Sequence, residues 1–79
     1  MSELIDLFDA RHVCGQLEER AHAGLEVDQR WLGATLRAVQ AHPAYTDGHH
    51  VQHSDFVDLA LDLTAVQAHV RAAATEVEA

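Results

Sequence analysis

The sequence predicts an all-α fold, either a small three-helix bundle or a helical hairpin, with a long C-terminal heptad helix that pairs with a second copy. Three observations predict it. Apolar residues recur at intervals of three and four, the spacing of one helix face. Helix-breaking residues at Gly24-Leu25 and from Pro43 to His53 divide the chain into three segments. The 79 residues suffice for a single domain, residues 1–79, near the lower size limit for a stable core.

The first segment predicts a helix over residues 2–23. Ser2 is placed to cap its amino end, and Gly24 can adopt the left-handed conformation that ends a helix. Cys14, the only cysteine, lies on the apolar stripe and predicts a buried structural thiol rather than a nucleophile. The stripe consists of Leu7, Ala10, Cys14, Leu17 and Ala21.

The second segment predicts a helix over residues 28–42. Asp28 is its expected N-cap, and Val27 and Leu32 stand on either side of that cap at the spacing of a hydrophobic staple. Pro43 disfavours helical geometry in the residue before it, so it should end the helix. The predicted buried stripe is Leu32, Leu36 and Val39.

The third segment predicts the longest helix, over residues 54–77, with Ser54 or Asp55 as N-cap. Its apolar residues keep heptad spacing, which indicates coiled-coil-like packing. Because this helix exceeds the second in length, part of its seam needs the first helix or a second copy in a homodimer. The seam is Phe56, Leu59, Leu63, Val66, Val70, Ala73 and Val77.

A second apolar face is predicted on the third helix, roughly opposite the seam, at Val57, Leu61, Ala68 and Ala72. A helix that covered a single core would carry charge there, so this face predicts a partner-binding surface. The alternative is a bundle that buries more than one stripe, because isolated exposed leucines are common.

An acidic flank formed by Asp55, Asp58 and Asp62 adjoins that face. It could steer a basic partner, or it could simply favour the helix amino end and keep the helix hydrated. The chain has 13 acidic residues, 5 arginines and no lysine, for a formal net charge of −8. Direct binding to nucleic acid or to an anionic membrane is therefore not expected, since phosphates would repel the protein.

Three of the seven histidines cluster at His49, His50 and His53. His49 and His53 are four residues apart, so one helical turn would place both imidazoles on one side, where they could bind zinc or nickel. The usual thiolate ligands are missing from this cluster. The alternative is a polar loop that needs no cofactor.

No spacing in the chain recommends a catalytic pair or a phosphate-binding loop, and an enzyme is not expected. The leading hypothesis is a small acidic interaction module that regulates, links or inhibits a larger protein. One concrete version is an acidic inhibitor of a nucleic-acid-binding complex, of the kind that mobile elements encode. The runner-up is a metal-binding or metal-sensing protein. The single cysteine and the acidic amino terminus favour the cytoplasm.

Overall fold

The computed structural model describes the backbone of residues 4–78 and the side chains of residues 4–74. These residues form four helices, and no strand is present among them. The predicted all-α class is confirmed, with one short helix more than expected. The helices are α1 (Leu7–His22), α2 (Gln29–Ala41), α3 (Pro43–Thr46) and α4 (His53–Glu78).

The start of α1 differs from the prediction. Leu4 to Asp6 are not helical, and α1 begins at Leu7 with Asp6 as its N-cap. The Asp6 side chain accepts a hydrogen bond of 3.1 Å from the backbone N–H of Phe8. An aspartate at this position satisfies a donor that the first helical turn leaves free, so the helix starts there. The predicted cap, Ser2, lies outside the described residues.

The end of α1 confirms the role expected of Gly24, which has a φ of 74°. The N–H of Leu25 donates to the carbonyl of Arg20 at 2.9 Å, and the N–H of Gly24 donates to that of Ala21 at 3.2 Å. These two bonds form a Schellman motif, which satisfies carbonyls at the helix end. Beyond the motif, Val27 enters the core while Leu25 stays exposed.

The second helix is close to its predicted bounds. Asp28 caps it by accepting hydrogen bonds from the N–H groups of Arg30 and Trp31. Helix α2 ends before Pro43, as expected, but Pro43 then begins the short helix α3 instead of a plain loop. Proline favours the first position of a helix because its missing N–H would be unpaired there in any case.

The long helix α4 packs against the other three helices. It begins at His53, so the prediction that Ser54 or Asp55 caps it is wrong, and both lie in its first turn. Arg11 contacts Asp55 near the start of α4, and the ring of His22 lies 5.8 Å from that of His69 further along. Helices α1 and α4 therefore run parallel.

The core is built around the first half of the predicted α4 seam. Four of its seven positions are buried, Val70 is half-buried and Ala73 is exposed. The seventh, Val77, lies outside the described side chains. Pairing of this seam with a second copy stays a prediction. The five largest fully buried side chains are Phe56, Leu17, Leu32, Leu63 and Val39.

Candidate protein-interaction surface

The side of α4 that points away from the core is uncharged. Each helical residue advances about 100°, which places these residues opposite the buried seam. Leu61 is 63% exposed, Ala68 is exposed and Val57 is half-buried. We call this surface the outer face, and it comprises Val57, Leu61, Ala65, Ala68 and Ala72.

The acidic flank lies along the border between α4 and α1. Asp55 accepts a hydrogen bond of 2.8 Å from the guanidinium of Arg11, so part of its charge is balanced within the chain. Both side chains are solvent-exposed, which makes such a pair worth only about 0.2–1 kcal/mol. Asp58 and Asp62 are exposed and, among the described residues, neither forms an ion pair. These two carboxylates therefore dominate the potential of the flank.

The flank forms one wall of a groove of about 290 Å³ between α1 and α4, here called the α1–α4 groove. A Cβ atom built on Gly15 would meet nothing within 4 Å, so this glycine leaves the middle of the groove open. The groove is lined by Arg11, Cys14, Gly15, Glu18, Asp55, Asp58, Leu59 and Asp62. The sequence prediction included the three aspartates and missed the α1 wall.

Phe8 lies one helical turn before Arg11, on the side of α1 that carries Gly15. Its side chain is 76% exposed. The sequence could have indicated that Phe8 is exposed, because Phe8 falls outside the apolar stripe that contains Leu7 and Ala10. Phe8 is therefore a further candidate contact residue.

The thiol of Cys14 lies beneath this groove. It is 4% exposed and donates a weak hydrogen bond of 3.7 Å to a carboxylate oxygen of Glu18. Burial, together with the charges of Glu18 and Asp62, raises the pKa of Cys14 from 9.0 to about 12. A thiol with this pKa is protonated at neutral pH and is a poor nucleophile. The predicted burial of the Cys14 thiol is confirmed.

The predicted metal ligands lie in the segment that joins α3 to α4. Imidazole Nδ1 of His50 accepts a hydrogen bond of 3.0 Å from the N–H of Gln52. Nδ1 of His53 lies 2.9 Å from the carbonyl oxygen of Ala44, to which it can only donate. Of the two ring nitrogens, Nε2 is thus the one left to bind a metal in both residues. His49 is exposed, and among the described residues its one hydrogen bond runs from its backbone N–H to the Asp47 side chain.

Potential metal ligands converge elsewhere in the part of the chain that the structure describes. One ligand atom each of Cys14, Glu18 and Asp62 lie within 4.8 Å of one another, whereas His49, His50 and His53 form no such group. A zinc or nickel site at these histidines stays a prediction based on their spacing.

Another histidine, His42, has a structural role that the sequence analysis missed. Its Nδ1 accepts a hydrogen bond of 3.0 Å from the N–H of Ala44 and so caps α3. Its ring stacks on the fully buried Phe56 with a centroid separation of 4.2 Å. The segment between α2 and α4 is therefore attached to the core through this ring.

Across residues 4–78, none of the helices is both long enough and apolar enough to cross a bilayer. No family model matches the chain, and no curated protein or solved structure matches it either. Function is therefore inferred from the chemistry of the outer face and of the α1–α4 groove.

Proposed function

We propose that the protein is a non-enzymatic interaction module that docks on a larger protein through the outer face of α4. The observation that carries this proposal is Leu61, a large apolar side chain left 63% exposed on a face without charge. Full burial of a leucine is worth about 1.5–3 kcal/mol, and the fold obtains little of this from Leu61. A partner that covered Leu61, Val57 and Ala68 would gain the rest of this burial free energy on binding.

The partner is a protein with a basic surface. Asp58 and Asp62 stand beside the outer face without a described ion pair, and the chain carries a net charge of −8. Complementary charge of this kind accelerates encounter and orients the partner. A regulator, adaptor or inhibitor of a nucleic-acid-binding complex fits these properties, because such complexes present basic surfaces. The cytoplasm is the compartment that we propose, on the basis of the lone cysteine.

Self-association at the other end of α4 is part of the proposal. A groove there is formed by Val27 with Val70 and Ala73, beside the polar residues Glu26, Gln29 and His69, and it continues the heptad seam past the end of α1. In a homodimer the same seam on a second copy would cover Val70 and Ala73, in the manner of a coiled coil.

The test measures partner affinity for two matched variants. The partner is isolated from source cells with the wild-type protein, purified, and titrated by calorimetry with wild type, Leu61→Glu and Ala34→Glu. Ala34 is exposed on α2, so its variant adds the same charge away from the outer face. We expect Leu61→Glu to weaken binding at least roughly tenfold and Ala34→Glu to leave it unchanged.

Salt dependence tests the electrostatic half of the proposal. Raising sodium chloride from about 50 mM to about 300 mM should weaken the complex, since the shorter screening length reduces attraction between exposed charges. Equal affinities of wild type and Leu61→Glu would refute docking at the outer face. An affinity that ignored salt would refute the basic partner.

A further inference from the structure

We infer that the α1–α4 groove binds a basic amphipathic helix supplied by the partner protein. This inference rests on the proposed function and extends it, because it names the recognised element and adds α1 to the contact surface. Three features of the groove carry it: an open middle, unpaired carboxylates along its walls, and an exposed apolar side chain beside each wall.

The open middle comes from Gly15. Gly15 lies inside α1 with ordinary helical geometry, and no side chain occupies the space above it. Helices α1 and α4 run parallel on either side, and the α1 lining from Arg11 to Glu18 gives the groove a length of about 12 Å. A docked α-helix would contact both walls over about two of its turns, and helix-in-groove docking is a common mode of peptide recognition.

The walls carry negative charge that the chain itself does not balance. Glu18, Asp58 and Asp62 line the groove, and none of them forms an ion pair with a described residue. Arg11 is the one described cation in the lining, and Asp55 already binds it. The groove therefore favours an occupant with arginine or lysine side chains. Arginine suits it best, because its planar fork can bind a carboxylate through two hydrogen bonds.

Apolar side chains stand beside both walls. Phe8 precedes Gly15 by seven residues, so both lie on one side of α1. Leu61 follows Asp58 by three residues, which places it next to the opposite wall. Phe8 and Leu61 are among the most exposed large apolar side chains of the described residues. An occupant that covered both would need an apolar stripe next to its cations, and an amphipathic helix provides both.

A second copy of this chain is a poor occupant. Each copy carries a net charge of −8 and contains no lysine, so its helices would bring further carboxylates to Glu18, Asp58 and Asp62. The charge of the groove therefore selects a different protein.

The experiment uses a synthetic peptide of about 18 residues with arginine and leucine at helical spacing, enough for about five turns. Its control contains the same residues in an order that has no apolar face. Calorimetric titration of the full chain should give one-to-one binding, with the control peptide at least roughly tenfold weaker. Chemical shifts should change at the amides of Phe8, Gly15 and Asp58.

Two glycine variants locate the binding site. Gly15→Gln fills the groove, whereas Gly33→Gln makes the same change in the interior of α2, where a Cβ meets only the end of Arg37 at 3.6 Å. We expect the first to weaken peptide binding roughly tenfold and the second to leave it unchanged. Both should raise helix content, because glutamine favours helices more than glycine does. Circular dichroism therefore verifies folding.

Equal binding of the two peptides, or equal effects of the two glycine variants, would overturn this inference. So would an equilibrium dimer that Phe8→Ser dissociates, since the occupant would then be a second copy. The proposed function can fail separately. If Leu61→Glu weakened the natural complex and Gly15→Gln did not, the outer face would remain the docking surface and the groove would be excluded.

Discussion

The two sides of α4 hold similar residues in opposite environments. On the inner side, Phe56 and Leu63 are fully buried against α1, α2 and α3. On the outer face, Leu61 is mostly exposed and Val57 is half-buried. The hydrophobic effect scales with the area removed from water, so the inner side stabilises the fold and the outer face contributes little to it. The apolar content of α4 therefore exceeds what this small bundle buries.

The largest expected effect tests the inner side. Phe56→Ala should lower the free energy of unfolding by about 3–5 kcal/mol, because it leaves a cavity and removes the ring on which His42 stacks. Urea unfolding followed by circular dichroism measures this loss. Leu61→Ala is the matched change on the outer face and should stay within about 0.5 kcal/mol of wild type. A loss of several kcal/mol for Leu61→Ala would abolish the distinction between the two sides.

The next effect concerns Cys14 of α1, which lies beneath the α1–α4 groove. Its pKa is raised to about 12 in the folded protein, so the unfolded chain loses this proton first as pH rises. The stabilisation is complete below about pH 9 and should then decline by about 1.4 kcal/mol per pH unit towards pH 12. Urea unfolding at pH 8 to about pH 10.5 should show a loss of about 2 kcal/mol that Cys14→Ala lacks. A similar slope in both proteins would mean that the thiol is not the group that titrates.

The sequence could predict the elements that rest on local chemistry. Asp28 as a cap and Gly24 as a helix terminator depend on neighbours in the chain, and both predictions are confirmed. The stripe of α1 from Ala10 to Ala21 is buried, as its spacing predicts. The predicted start of α1 is wrong because Ser2 and Asp6 are both good N-caps, and local preference alone does not choose between them.

The rest depends on contacts between distant segments. Arg11 and Asp55 are 44 residues apart, and nothing in either segment predicts that they form an ion pair. Contacts between distant segments also place α1 beside the acidic flank. This placement creates the α1–α4 groove. His42 was missed because its partner Phe56 belongs to another helix. The three aspartates were found, while Gly15 and Phe8 became candidates only once α1 was placed.

A smaller effect tests how the inner side is held together. His42→Ala should destabilise the protein by about 1–2 kcal/mol, since it removes the cap of α3 and the stacked ring on Phe56. His49→Ala is the control, because that side chain is exposed and forms no ring contact with any described residue. Thermal unfolding at pH 8 compares the two variants. A greater loss of stability for His49→Ala would mean that the histidine cluster, rather than His42, attaches this segment to the core.

The smallest effect concerns Gly15, in the middle of the α1–α4 groove. Gly15→Ala should stabilise the protein by about 0.5–1 kcal/mol, because alanine loses less backbone entropy in a helix interior and its Cβ has open space. Gly24→Ala should destabilise it by about 1 kcal/mol, since only glycine adopts the left-handed conformation at φ 74° without strain. Urea unfolding at pH 7 gives both signs. The two alanine substitutions would then have opposite effects on stability, because the fold requires Gly24 and would be more stable without Gly15. If Gly15→Ala were destabilising, the fold itself would require a glycine at this position. The presence of Gly15 would then give no support to a binding groove.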